Sequence, residues 1–124
     1  MSQIIAVGIG GFIGAISRYI FGILIIKNFS IPFPISTLFV NFFGCLLFGY
    51  FINHNLINHS NFPIKEFLLI GILGGFTTFS TFGFEFVSLI QKQQIQKAIL
   101  YVSLSLILGV FAIWLGLKFN QIYS

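Results

Sequence analysis

Gly74-Gly75-Phe76-Thr77-Thr78-Phe79-Ser80-Thr81-Phe82 sets two adjacent glycines and four hydroxyl side chains in the middle of an otherwise apolar run. Lipid has no hydrogen-bonding groups, so backbone and hydroxyl groups at membrane depth are satisfied only inside protein or along a hydrated path. Such a stretch predicts a helix interrupted midway, at a place where something polar crosses.

The run that holds it extends over residues 67–90, after Pro63 and the pair Lys65-Glu66 and before the polar linker Gln91-Lys92-Gln93-Gln94. Three further apolar runs cover 4–26, 36–52 and 98–117. The first closes at Lys27-Asn28, and Pro32 and Pro34 forbid continuous helix through the turn that follows. Crossing about 30 Å of hydrocarbon takes roughly 20 apolar residues. The 124 residues therefore hold about four spans and leave no room for a soluble domain. A content of 57% hydrophobic and 6% charged residues, with a mean hydropathy of +1.04, lies outside the soluble range. The expected fold is an all-α protein of the cell membrane, one multi-pass transmembrane domain over residues 1–124. The first apolar run is too long for a cleaved signal and lacks its basic leader, so it reads as the first mature span.

The net charge of +4 comes from scattered residues without a basic run, which gives no reason to expect a nucleic-acid partner. Lys65 and Lys118 fall at one membrane face and Lys27, Lys92 and Lys97 at the other. That balance gives no orientation bias, so the chain is expected to insert both ways and pair as an antiparallel two-fold homodimer. One copy of about four helices does not easily enclose an aqueous path, which also favours an oligomer. Gly10 with Gly14 and Gly71 with Gly75 are small-xxx-small pairs that let helix backbones approach. Cys45 is alone within a span and reads as a small buried side chain. His54 and His59 lie in an asparagine-rich loop without acidic or cysteine company, a poor metal site.

Polar residues inside spans are costly and mark function or helix association. Arg18 is the one formal charge in the first span and either snorkels to the interface or faces a water-filled vestibule. Thr37 and Asn41 share a face at i and i+4, and Tyr101 and Ser105 repeat that spacing in the last span, with Gly109 one turn on. The Asn41 amide either bonds a neighbouring helix or offers N–H donors to a passing ion. Glu85 follows Phe82 by about one turn and is placed to face a hydrated entrance. Phe79 and Phe82 project from the interrupted stretch, and the positive edge of an aromatic ring can face an anion.

Three segments together resemble the Fluc-type fluoride channels, the CrcB family. They are Gly10-Gly11-Phe12-Ile13-Gly14-Ala15-Ile16-Ser17-Arg18-Tyr19, Ser36-Thr37-Leu38-Phe39-Val40-Asn41-Phe42-Phe43-Gly44, and Gly71-Ile72-Leu73 continuing into the stretch quoted above. The resemblance implies an antiparallel homodimer with two fluoride pathways and a structural sodium ion on its axis. It implies Asn41 as a pore amide donor, and Phe79 and Phe82 as the aromatic pair of the pathway. Gly74 and Thr77 match the positions whose backbone carbonyls hold sodium. Thr37, Ser80, Thr81, Tyr101 and Ser105 match a polar track, with Glu85 near its entrance. Gly109 stands where the family pattern often has serine.

A small dual-topology multidrug exporter has similar length, span count and charge balance. It would be expected to carry an acidic residue in the first span, where this chain has Arg18. A non-transporting scaffold would account for the glycine pairs and not for polar lines on three spans. An enzyme lacks support, since no nucleophile, acid and base cluster or metal-ligand set is visible.

Overall fold

The computed structural model describes residues 1–123, and every regular element among them is helical. In chain order these are α1 (Ser2–Asn28), α2 (Ile35–Phe51), α3 (Asn55–Asn58), α4 (Glu66–Leu73), α5 (Gly74–Phe76), α6 (Phe79–Gln91) and α7 (Ile95–Tyr123). Three stretches are long and apolar enough to cross a membrane: α1, the third span running Glu66–Gln91 through α4 to α6, and α7. The 17 residues of α2 are apolar but shorter, about 26 Å at 1.5 Å per residue. All four apolar runs are thus helical, three of them long enough to cross a membrane, each helix within a few residues of the run's bounds and with the largest difference at the ends of α7. The short α3 lies in the asparagine-rich loop, where the His54 side chain accepts from the Leu56 N–H at 3.2 Å. His54 is therefore a helix cap, in keeping with its reading as a loop residue.

The turns follow from local chemistry. Asn28 donates its amide to the Leu24 carbonyl at 2.7 Å, Phe29 leaves the helix extended, and Pro32 and Pro34 keep the chain from resuming before α2. Between α6 and α7 the chain reverses within a few residues, with Gln93 in the left-handed region at φ 57°. Lys97 Nζ donates to the Pro32 carbonyl at 3.3 Å, so the α1–α2 and α6–α7 connections sit at the same end of the bundle. That places Lys92 and Lys97 with Lys27, as the charge count expected.

Packing divides the bundle into two tight pairs, and glycine makes both. A Cβ added to Gly71 would lie 2.8 Å from the Gly10 Cα, and one on Gly75 would lie 2.7 Å from the Gly11 carbonyl oxygen. One on Gly10 or Gly14 would drive into the Phe67 or Ile72 carbonyl. The two small-xxx-small pairs therefore meet each other, α1 against α4 and α5. Gly49 and Gly116 do the same for α2 against α7, facing Ile113 and Leu46 backbone. In α4 the winding is loosened to π geometry, a rare form that is frequent at functional sites. Gly14→Ala is expected to cost about 1–3 kcal/mol through overpacking, while Gly8→Ala, with nothing within 4 Å, should be neutral or slightly stabilising. Thermal unfolding of the two variants in detergent checks the contrast.

Candidate functional site

The third span breaks at Thr77 and Thr78, whose backbones are extended with ψ of 157° and 122°. The break lies inside the stretch 74–82 in which the sequence placed it, and Gly74 and Gly75 remain helical as the first residues of α5. Thr78 starts the next helix: its Oγ1 accepts from the Thr81 N–H at 3.2 Å and meets the hydroxyls of Thr81 and Ser80 at 3.2 and 3.3 Å. Thr78 is an N-cap that the sequence reading quoted without singling out; a threonine three residues before another hydroxyl at a helix start is the available signal.

The break is held from another helix. Asn41 on α2 donates Nδ2 to the Thr78 carbonyl at 3.0 Å and accepts the Thr78 N–H on Oδ1 at 2.9 Å. One amide thus replaces the two backbone partners that Thr78 loses at the break, a direct case of buried polar groups being satisfied by a side chain. From the opposite side Arg18 Nη1 donates to the Thr77 carbonyl at 3.2 Å. Its guanidinium is turned to the middle of the third span and does not snorkel to the interface. The Thr77 hydroxyl returns to the Leu73 carbonyl at 2.9 Å, and Gly44 on α2 leaves the room that the Thr77 methyl occupies.

Beside the break lies an open, mostly apolar cavity of roughly 470 Å³ whose wall includes Asn41, Gly74, Thr77, Phe79, Phe82 and Ser105. Gly109 and Cys45 line it too, and a Cβ on Gly109 would stand 3.8 Å from the Cys45 Sγ. Phe79 is 82% exposed on a single chain. Its ring lies 5.6 Å from that of Phe82, which in turn lies 5.1 Å from Tyr101.

A second polar group sits on the far side of Phe82. Glu85 accepts the Thr37 hydroxyl on Oε1 and the Tyr101 hydroxyl on Oε2, each at 2.7 Å. Thr37 and Tyr101 are buried, and Phe33 meets the Tyr101 ring edge to face at 5.6 Å. The candidates read from the sequence therefore fall into neighbouring sets. Asn41, Phe79, Phe82, Ser105, Gly74 and Thr77 surround the cavity. Thr37, Tyr101 and Glu85 form one hydrogen-bonded cluster, joined to the first set through Phe82. Ser80 and Thr81 are exposed in the first turn of α6, their hydroxyls against that of the capping Thr78, and Arg18 reaches the break from α1.

Residues 5–117 match the sequence profile of the family described as CrcB-like protein, Camphor Resistance (CrcB). Among similar proteins, one from Flavobacterium psychrophilum, called Fluoride-specific ion channel FluC, is 41% identical over 94% of this chain and 95% of its own length. Proteins of the same description from Thermus thermophilus and Shewanella woodyi are each 39% identical, over 95% and 98% of this chain and 94% and 100% of their own lengths. With matches of that extent and a bundle of membrane-crossing helices around a braced break, this chain is a multi-pass membrane protein that belongs to the CrcB family.

Proposed function

We propose that the protein is a passive, fluoride-selective channel working as an antiparallel homodimer. The observation that carries this reading is the third span's break, held open by Asn41 beside a cavity edged by Phe79, Phe82 and Ser105. The names of the relatives agree with it. Fluoride is small and strongly hydrated, so a path across lipid must replace its water with close donors. The hydroxyl of Ser105, the second N–H of the Asn41 amide and the ring edges of Phe79 and Phe82 are donors of that kind, while the single O–H of Thr37 and of Tyr101 is given to Glu85 and would have to leave it to reach an ion. No single contact is strong enough to trap the ion. The high exposure of Phe79 fits a surface that a second copy would enclose.

The same break fits a structural sodium ion by its donor chemistry. In an unbroken helix the Gly74 carbonyl would accept the Thr78 N–H, and the Thr77 carbonyl that of Thr81. Asn41 takes the first of these donors and the Thr78 hydroxyl the second, and Arg18 occupies only one lone pair of the Thr77 oxygen. Two carbonyl oxygens per chain are thereby left with acceptor capacity toward a hard monovalent cation, and two copies would supply four. When bound, sodium would add positive potential and join the two copies. Arg18 contributes positive charge at the same level of the membrane whether or not the ion is there.

Purified protein in liposomes loaded with fluoride is expected to release it passively within seconds and to retain chloride, as read by ion-selective electrodes. Vesicles that kept their fluoride would refute the channel reading.

A further inference from the structure

The turn between α6 and α7 brings one of the chain's five lysines, Lys92, into the wall of a depression of roughly 270 Å³. Its wall includes Pro32, Phe33, Glu85, Ser88, Lys92 and Gln94. Lys97 is outside that wall and donates to the carbonyl of Pro32, which is part of it. Glu85 and Ser88 on α6 and Lys92, which caps its C-terminus, stand at i, i+3 and i+7 and so share one face, rising about 10 Å from carboxylate to ammonium-bearing residue. The Lys92 backbone is fixed there, its N–H bonded to the Ser88 carbonyl at 3.0 Å before the chain turns at Gln93. Below this ladder Glu85 holds the hydroxyls of Thr37 and Tyr101. The depression is therefore an outer mouth that opens directly onto the polar line.

An anion entering here meets two repulsive features, the Glu85 carboxylate and the negative end of the α6 dipole. Lys27, Lys65, Lys97 and Lys118 are not in its wall. We propose that Lys92 is the capture residue of this mouth: it offsets both repulsions and sets the rate at which a small anion enters, acting through its field and not by contact with the bound ion. This rests on the reading of the chain as a fluoride channel. It differs from the ordinary role of a lysine at a helix end, anchoring to the headgroups, in one measurable respect. A field effect fades when salt shortens the Debye length from about 30 Å at 0.01 M to about 3 Å at 1 M.

The test is the fluoride current through protein in planar bilayers of zwitterionic lipid, in about 10 mM sodium fluoride alone or with about 1 M of a salt of an impermeant anion. Lys92→Gln should lower the current roughly two- to fivefold at low ionic strength and leave it within about 1.5-fold of wild type at high ionic strength, in line with the salt sensitivity of steered association. Lys92→Glu should lower it further, Lys92→Arg should preserve it, and Lys118→Gln should match wild type in both solutions. Equal currents for Lys92→Gln and wild type at low ionic strength would overturn the proposal. So would a loss of the same size in both solutions, which is the mark of a structural effect. A wild-type protein that passes no fluoride would instead remove the channel reading, and the capture role with it.

Discussion

Phe82→Ile is expected to slow fluoride flux about thirtyfold while leaving the fold intact. The Phe82 ring is half-buried between Tyr101 at 5.1 Å and Phe79 at 5.6 Å, at the point where the cavity by the break meets the Thr37, Tyr101 and Glu85 cluster. An ion moving between those two sets of donors has to pass this ring. A phenyl edge presents positive potential where isoleucine presents none. If the edge offsets about 2 kcal/mol of the dehydration cost, comparable to a desolvated cation over a ring face, losing it corresponds to roughly thirtyfold in rate. The branched aliphatic fills most of the same space, so the stability cost should stay near 1–2 kcal/mol. Phe79→Ile makes a useful partner experiment, because Phe79 is exposed on one chain. It should match Phe82→Ile only if a second copy closes over it. Flux at the wild-type rate in Phe82→Ile protein would remove the ring from the pathway.

Most of the bundle was legible because its signals are local. Apolar runs long enough to cross hydrocarbon gave the spans, Pro32 and Pro34 ended the first, and paired glycines four residues apart announced the α1 contact with α4 and α5. Gly49 and Gly116 were not singled out, although Ala112 and Gly116 also form a small-xxx-small pair and Ala112 is fully buried. The interruption falls inside the stretch 74–82 where it was expected; within it the glycines stay helical and serve packing against α1, while the backbone departs at Thr77 and Thr78. What places the break there is Asn41, 37 residues earlier in the chain, and no pattern within the third span reports that contact. The same holds for Glu85, whose partners Thr37 and Tyr101 come from two other spans. The π winding of α4 was not read from the sequence. For Arg18 the sequence left two directions open, and its contact with the Thr77 carbonyl decides between them by offering the guanidinium an acceptor inside the bundle.

Asn41→Ala should abolish flux and also lower stability markedly, because the amide is the brace on which the site depends. Thr78 is only 8% exposed, and both of its backbone hydrogen-bonding groups end on the Asn41 side chain. Truncation leaves a buried N–H and a buried C=O without partners, at about 1–3 kcal/mol each. That sum is a large share of a typical folding free energy of about 5–15 kcal/mol. The cheapest escape for the backbone is to rewind, returning the Thr78 N–H to the Gly74 carbonyl. Rewinding would carry Phe79 and Phe82 around the helix axis and withdraw the carbonyls proposed for sodium. Asn41→Asp separates the two roles of the amide. Its carboxylate can still accept the Thr78 N–H, but it has nothing to donate to the Thr78 carbonyl, and a negative charge at this depth opposes both the bilayer and an approaching anion. Aspartate should therefore keep part of the stability that alanine loses and still pass no fluoride. Thermal unfolding in detergent paired with electrode-measured efflux reads both quantities on the same preparations. An alanine variant that melts and conducts like wild type would mean that the break holds itself open. The bond from Arg18 to Thr77 and the cap at Thr78 would then have to be sufficient without α2, a result that neither contact's geometry leads one to expect, since neither supplies a partner to the Thr78 backbone.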